Sequence, residues 1–143
     1  MLKKILDKFF KKTLIMRNDG EPYLTRYYLY RKHFWWLPSM YIHCFHSSDY
    51  DMELHNHPWK KSYSLILKGS YAEEYRDKNN VVKSRVLFPG NINYVPENKF
   101  HRVDLLSENV WTLFISGPKV QRWGFWNRHT NKYIDYLDFF NKH

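Results

Sequence analysis

Residues 55–59 read His-Asn-His-Pro-Trp, and this stretch, with the residues that follow it to Gly69, decides the fold. On an extended chain, two histidines one residue apart point to the same face, about 6.5 Å apart along the strand. Both imidazoles can then reach one metal ion, which lies about 2.0–2.1 Å from each coordinating nitrogen. The pair His55 and His57 is a weak signal by itself, because a chain with eight histidines in 143 residues often carries such a pair by chance. A second stretch must supply the rest of a site.

The second stretch covers residues 90–101 and reads Gly-Asn-Ile-Asn-Tyr-Val-Pro-Glu-Asn-Lys-Phe-His. A turn at Gly90 starts a short strand, a turn at Pro96 ends it, and His101 opens the next strand. His101 is therefore the third candidate metal ligand beside the earlier pair.

These two stretches together resemble the cupin superfamily. Its first motif holds an H-x-H pair, a glutamate and a glycine, and its second holds a glycine, a proline and a histidine. The matching residues are, in chain order, His55, His57, Gly69, Gly90, Pro96 and His101. Within the superfamily, the chain is similar to small cupin-like proteins of bacteria and phages whose function is mostly unassigned. The resemblance implies an all-β fold, a jelly-roll antiparallel β-barrel with a short α-helix near each terminus.

Three positions depart from the motifs. Ser62 stands where a glutamate ligand is expected, and we expect its hydroxyl to hydrogen-bond nearby rather than to bind metal. Asn98 replaces the second glycine, a mild change because asparagine tolerates the left-handed turn conformation, and Leu105 replaces the terminal asparagine. The fourth ligand is therefore open. Glu73 is the first candidate and Glu53 the second, and Glu73 could instead orient a histidine ligand by a hydrogen bond.

Composition limits the class of protein. The 143 residues suffice for one domain, and we expect a single cupin domain over residues 1–143. The one cysteine, Cys44, allows no internal disulfide, which favours a reducing compartment. Charged residues interrupt the segment Leu2–Phe10, which argues against a signal peptide, and no apolar run approaches the ~20 residues of a membrane span. The sequence therefore predicts a cytoplasmic protein.

Periodicity divides the chain into a barrel and two helices. Residues 2–12 have apolar side chains at helical spacing with lysines largely opposite, and residues 131–142 show the same spacing. Between them, about nine short strands separated by turns predict a barrel over about residues 14–126. We expect the first helix to pack on the outside of the barrel. The alternative is that it docks to a membrane surface or a partner.

The chain is basic, with 23 Lys and Arg against 14 Asp and Glu and a net charge of +9. Our preferred interpretation of this positive charge is that it reflects a general bias in residue composition, with the lysines on solvated faces. The alternative is an anionic partner, for which we expect a small-molecule substrate rather than nucleic acid. Because many cupins dimerise, the resemblance also leaves a homodimer open.

Three neutral imidazoles leave about two or three coordination positions open, which favours catalysis because structural metal sites are usually closed by protein ligands. Among cupins, a three-histidine arrangement resembles thiol dioxygenases and some diketone dioxygenases, which use Fe(II). The resemblance therefore implies Fe(II), with Zn, Ni or Mn as alternatives. We assign Glu73 and Tyr71 to catalysis. Trp59, Tyr71 and Tyr94 are candidates for lining a cavity or filling the core.

The remaining histidines of interest are His33, His43 and His46, which lie on or between predicted strands. Each is able to serve as a ligand or an acid–base group. A structural role is the preferred interpretation for all three, because a lone histidine on a strand most often has one.

The preferred function is a metal-dependent cupin enzyme with a three-histidine site, a dioxygenase acting on a small molecule. One alternative is a metal-free cupin sugar-nucleotide isomerase or epimerase, with a histidine base beside a tyrosine acid. A non-catalytic cupin that binds a small ligand is another, and a basic nucleic-acid-binding module is a third. The sequence contains no P-loop, dinucleotide-binding glycine motif or nucleophile elbow that would favour other chemistry.

Overall fold

The computed structural model describes residues 1–30 and 38–142, so His33 lies outside the described residues. The helices and strands are, in chain order, α1 (Leu2–Phe9), β1 (Lys12–Met16), β2 (Pro22–Tyr30), β3 (Ser39–Phe45), β4 (Leu54–His55), β5 (Lys61–Lys68), β6 (Tyr71–Arg76), β7 (Val82–Leu87), β8 (Ile92–Pro96), β9 (His101–Leu105), β10 (Val110–Ser116), β11 (Gly124–Asn127), β12 (Lys132–Asp135) and α2 (Tyr136–Lys142).

The strands form two antiparallel sheets of six strands each. The order is β1-β2-β3-β10-β5-β8 in the first sheet and β12-β11-β4-β9-β6-β7 in the second. Consecutive strands such as β8, β9 and β10 alternate between the sheets, so the chain crosses from one to the other repeatedly, as it does in a jelly roll. The prediction of an all-β antiparallel fold with a short helix near each end is confirmed.

The main hydrophobic core lies between the sheets. Along Val110–Ser116, fully buried and partly buried side chains alternate, as expected for a strand that is covered more deeply on one face. Val110 belongs to a buried cluster with Ile66 of the same sheet and with Tyr71, Leu87 and Val103 of the other. Apolar burial between the sheets therefore fixes which face of each strand looks inward.

The first helix packs on the outer face of the first sheet. Leu6 is buried against Tyr27 and Ile42, and Trp111 adds to the same cluster. The helix ends at Phe9 rather than at residue 12, because Lys12 already pairs with Tyr27 in the β1–β2 ladder. The strand hydrogen bonds replace the last helical turn that the periodicity predicted.

The second helix is also shorter than the periodicity predicted. Residues 132–135 pair with β11 as a strand, and the tight turn before them places Asn131 at φ 54°. Asparagine tolerates this left-handed conformation, so the hairpin forms and the helix begins only at Tyr136. Neither helix in the described part of the chain is long and apolar enough to cross a membrane.

Candidate metal centre

Three histidines meet at the open end of the barrel because of strand register. His55 of β4 lies directly opposite His101 at the start of β9, and β11 flanks β4 on the other side. His57 follows just past the end of β4. Between the two histidines, Asn56 points the other way: its side-chain oxygen accepts a hydrogen bond from the backbone N–H of Gly124 at 2.8 Å. Asn56 thereby ties the segment that carries the two histidines to β11.

The geometry of the three imidazoles fits a metal ion. One ring nitrogen from each of His55, His57 and His101 lies within 4.8 Å of the other two. The Nε2 atoms of His57 and His101 are 2.9 Å apart. Two nitrogens bound at about 2.05 Å are about 2.9 Å apart at a right angle and about 3.4 Å apart at the tetrahedral angle. In this structure the two nitrogens share a hydrogen bond at the observed 2.9 Å, and both are close enough to bind one ion.

His101 is held in one tautomer by Glu73. The Nδ1–H of His101 donates to Oε2 of Glu73 at 2.7 Å, and the Glu73 side chain is fully buried. With the proton on Nδ1, the Nε2 lone pair of His101 is free to face the ion. A carboxylate that accepts from the far nitrogen of a histidine ligand is a usual partner in metal sites, because it orients the ring and raises its basicity.

Glu73 is kept ionised by the groups around it. Its oxygens also accept hydrogen bonds from Lys99 (3.0 Å), Arg85 (3.0 Å) and the side-chain amide of Asn93 (2.5 Å). Burial raises the pKa of Glu73, but the hydrogen bond from His101, the charge of Lys99 and the hydrogen bond from Asn93 outweigh it and hold the pKa well below its usual range. Glu73 therefore lies behind His101 with its carboxylate fully engaged, not among the three candidate ligand atoms.

Burial keeps the other two imidazoles neutral, which is the form that binds a metal. It lowers the pKa of His55 to about 4, although the nearby Asp49 raises it. Burial also lowers the pKa of His57 well below its usual value, and the neighbouring His55 and His101 lower it further. The three clustered imidazoles, two of them held neutral by burial, fit a divalent cation.

The segment before the histidine pair is anchored by Arg102. The Nε of Arg102 donates to the carbonyl of Asp51 at 2.8 Å, and one terminal nitrogen donates to the carbonyl of Asp49 at 3.1 Å. The Asp49 carboxylate accepts from the backbone N–H of Val103 at 2.7 Å. Strand alternation predicts a solvent-facing Arg102, but the side chain is buried because residues 49–51 fold over the outer face of β9.

A cavity of about 430 Å³ opens in front of the three imidazoles. Its apolar walls are built largely from aromatic rings, among them Trp59, Phe114, Trp123 and Phe125. Trp59 stacks beside His57 with ring centroids 5.6 Å apart, and Trp123 and Phe125 each lie 6.4 Å from His55. The site therefore combines a polar, metal-binding end with apolar walls, which is the usual character of a small-molecule site.

The other sequence-predicted residues fall at different distances from this cavity. Tyr71 lines it, and its hydroxyl accepts from the Asn93 amide at 3.0 Å. Ser62 is fully buried and donates to the carbonyl of Val95 at 3.1 Å, as expected of a hydroxyl without a metal role. Glu53 lines a separate cleft beside β12, and Tyr94 stacks on an exposed neighbouring tyrosine. The structure does not bring Glu53 or Tyr94 to the three imidazoles.

Sequence reasoning missed the polar residues that surround the site. Asn93, Lys99 and Arg85 converge on Glu73 from a strand, a turn and another strand. Arg26 lines the cavity from β2. Strand parity was the available signal for Arg26, because it shares the inward face with the buried Leu24. No local pattern marks the residues that meet at Glu73.

No family model matches the sequence, and no curated protein matches it significantly. Solved structures do match the fold. The Fe(II)-HppE structure with the alternative substrate (S)-1-HPP superposes with a TM-score of 0.61 at 15% identity, covering 76% of this chain and 56% of that one. Hydroxypropylphosphonic acid epoxidase from S. wedmorenis gives a TM-score of 0.56 at 16% identity, covering 74% and 55%.

A variant of oxalate decarboxylase from Bacillus subtilis also matches, with a TM-score of 0.58 at 13% identity. The match covers 78% of this chain and 28% of the decarboxylase. A second structure of that enzyme, described for its Mn(II) centres, gives a TM-score of 0.55 at 15% identity, with coverages of 76% and 29%. The chain spans little more than half the length of the first of these proteins and under a third of the decarboxylase. At such identities the likeness concerns the fold.

Proposed function

We propose that this protein, whose fold is that of the cupin superfamily, is a metal-dependent enzyme, an Fe(II) dioxygenase that acts on a small molecule. The observation that carries the proposal is the cluster of three imidazoles facing an aromatic-walled cavity. A site with only three protein ligands leaves positions for substrate and oxygen, whereas structural sites are closed by the protein. The fold neighbours supply the chemical precedent, since one is an Fe(II) protein and another has Mn(II) centres.

Fe(II) is preferred over the other divalent ions because solved structures with this fold include Fe(II) proteins, and because three imidazoles leave positions open for oxygen and substrate. Zn, Ni and Mn are the alternatives, since imidazole also binds these ions. When bound, the ion supplies a Lewis-acid and redox centre at the end of the cavity.

The chain's own residues have separable roles in this proposal. His55, His57 and His101 hold the ion. Glu73 is a positioning residue, because it touches His101 and not the cavity contents, and it keeps the proton at Nδ1 of His101. The negative charge of Glu73 is balanced in turn by an ion pair with Lys99.

Tyr71 is the residue that we assign to substrate contact. Tyr71 lines the cavity, and burial, the largest influence on its hydroxyl, raises the pKa of Tyr71 to about 12. The hydroxyl therefore stays protonated at neutral pH and is able to donate a hydrogen bond to a bound molecule while it accepts one from Asn93. The aromatic rings around the site exclude water from the reacting groups.

Nitric oxide binding tests the proposal and requires no substrate. The purified protein is loaded anaerobically with Fe(II), and nitric oxide is added as a surrogate for oxygen. An open iron site predicts the EPR signal of a half-integer-spin iron–nitrosyl species, and His57→Ala abolishes it. Fe(II) bound without a nitrosyl signal would point to a non-catalytic site. No uptake of any metal would instead favour a metal-free isomerase or a plain ligand-binding protein.

A further inference from the structure

A second polar group faces the same cavity from the opposite sheet. Arg26 of β2 lies directly opposite His43 of β3 in the antiparallel register. The Nε of Arg26 donates to Nε2 of His43 at 3.0 Å, and both residues line the cavity. His43 is buried with its acceptor nitrogen turned to the guanidinium, so it orients Arg26 and adds no positive charge.

In the described part of the chain, no acid balances the positive charge of Arg26. Within residues 1–30 and 38–142, no carboxylate forms an ion pair with Arg26. One face of the guanidinium lies over the ring of Tyr41, 4.9 Å from its centroid. Nε is used by His43, which leaves the terminal N–H groups for another acceptor. A guanidinium that is always charged, partly buried and without a counter-ion suits an anionic ligand.

Aromatic rings connect this charge to the metal centre. Trp59 stacks on His57, Phe114 packs against Trp59 with centroids 5.3 Å apart, and His43 stacks on Phe114 at 4.9 Å. The cavity wall therefore runs from the three imidazoles across two aromatic side chains to the Arg26–His43 pair. A flat, apolar body lying along this wall would bury its surface against Trp59 and Phe114.

We infer that the cavity binds a small aromatic carboxylic acid, with its carboxylate on Arg26 and its ring against Trp59 and Phe114. The opposite end of the molecule then lies at the three-histidine centre. This inference rests on the proposed function and names the substrate class for that site. The carboxylate is recognised because a guanidinium presents two parallel N–H groups to its two oxygens. A volume of about 430 Å³ accommodates a molecule of this size.

Isothermal titration calorimetry with 3-phenylpropionate tests the inference. The acid is compared with the neutral 3-phenylpropan-1-ol and with acetate and inorganic phosphate, on both the metal-free and the Zn(II)-loaded protein. We expect 3-phenylpropionate to bind at least about tenfold more tightly than each of the other three, the factor that about 1.4 kcal/mol provides. Arg26→Gln removes this preference for the acid over the alcohol, and Arg26→Lys keeps part of it.

Arg122→Gln is the matched control, because Arg122 is exposed and pairs with Asp135 away from the cavity. It leaves the affinity for 3-phenylpropionate unchanged. Equal binding of acid and alcohol by the parent protein would overturn the inference, even if Arg26→Gln failed to fold. Acetate or phosphate binding as tightly as the aromatic acid would also overturn it, since the aromatic wall would then contribute nothing.

The same titrations separate this inference from the proposed function. Arg26-dependent binding of 3-phenylpropionate to a protein that takes up no metal would support the anion site and contradict the metalloenzyme. A protein that binds Fe(II) or Zn(II) at the three histidines but shows no preference for the acid would do the reverse.

Discussion

His101 and Glu73 are joined by a hydrogen bond of 2.7 Å between Nδ1 and Oε2, which fixes the tautomer of a candidate metal ligand from inside the core. Glu73 is fully buried and accepts hydrogen bonds from three further side chains, Lys99, Arg85 and Asn93. The orientation of the His101 ring therefore depends on a polar network that extends from the second sheet to the edge of the first. Changes at Glu73 should reach the metal centre without altering any ligand.

Glu73→Gln should weaken metal binding by about 10- to 100-fold, the usual effect of losing a carboxylate partner of a histidine ligand. The amide removes the negative charge that fixes the proton on His101 while keeping the side-chain volume. Competition with a chromogenic chelator measures the affinity. Glu74→Gln is the matched control, because Glu74 is the next residue on the same strand and pairs with Arg128 on the other face. An unchanged metal affinity in Glu73→Gln would show that Glu73 does not orient His101.

The same variant should also lower the free energy of unfolding of the metal-free protein. Lys99 loses the charge that compensates its burial, and removing one partner of a buried ion pair costs about 3–5 kcal/mol. Arg85 also pairs with Glu73 but reaches solvent, so we expect the lower end of this range. Urea denaturation in the presence of EDTA measures the change, and a loss no larger than that of Glu74→Gln would contradict the expectation.

The fold and the clustering of the three histidines could be predicted because they follow from spacing. The H-x-H pair and His101 stand at motif separations, and the cupin resemblance is confirmed at the level of the fold. Inward orientation of His101 also follows from strand alternation, which depends only on neighbouring residues.

The rest of the site could not be predicted, because it depends on contacts between distant segments. Strand alternation predicts that Arg102 faces solvent, yet the loop at Asp49 and Asp51 covers its side chain. Alternation gives the face on which a side chain lies but not what packs on that face. The partners of Glu73 lie 12 residues away at Arg85 and 26 away at Lys99. Their convergence is a property of the sheet order and not of any local pattern.

The two motif glycines should differ in their tolerance of alanine. Gly69 and Gly90 both have positive φ, +81° and +92°, so alanine costs about 1–2 kcal/mol of backbone strain at either position. At Gly69 a Cβ would also lie 2.4 Å from the backbone oxygen of Asn109, whereas at Gly90 nothing lies within 4 Å. We therefore expect Gly69→Ala to be less stable than Gly90→Ala by about 1–3 kcal/mol, the usual cost of overpacking. Equal melting temperatures would contradict the close approach at Gly69.

Cys44 should be nearly inert in the folded protein. Its side chain is buried, and burial raises the pKa of the thiol to about 11. At pH 8 the thiolate fraction is then about 100-fold below that of an ordinary cysteine, and the thiolate is the reactive form. The rate of reaction with Ellman's reagent should rise by about 100-fold or more when urea unfolds the chain. Similar rates with and without urea would show that Cys44 is accessible.

His43 should make the stability of the metal-free protein depend on pH. Burial, with Arg26 beside it, lowers the pKa of folded His43 well below the value of about 6.5 that it has when unfolded. Below pH 6.5 the unfolded chain therefore binds a proton that the folded chain does not. As the pH falls below 6.5, His43 should therefore lower the free energy of unfolding by up to about 1.4 kcal/mol per pH unit.

Urea denaturation of the parent protein and of His43→Gln, at pH 7.5, 6.5 and 5.5 with EDTA present, isolates this contribution. The glutamine oxygen is still able to accept from Arg26, so the difference between the two proteins at pH 7.5 reports packing alone. The variant should lose less stability than the parent between pH 6.5 and 5.5. Identical slopes would mean that folded His43 takes up the proton as readily as the unfolded residue.

The most direct test of the metal centre is elemental analysis of the protein purified without added chelator, together with His57→Ala and His101→Ala. We predict close to one divalent ion per chain in the parent protein, with iron taken up preferentially on anaerobic loading, and loss of that ion in both variants. Folding of the variants is checked by circular dichroism. A parent protein that binds none of Fe(II), Mn(II), Ni(II) and Zn(II) after anaerobic loading would contradict the metalloenzyme, and so would variants that keep the parent's metal content.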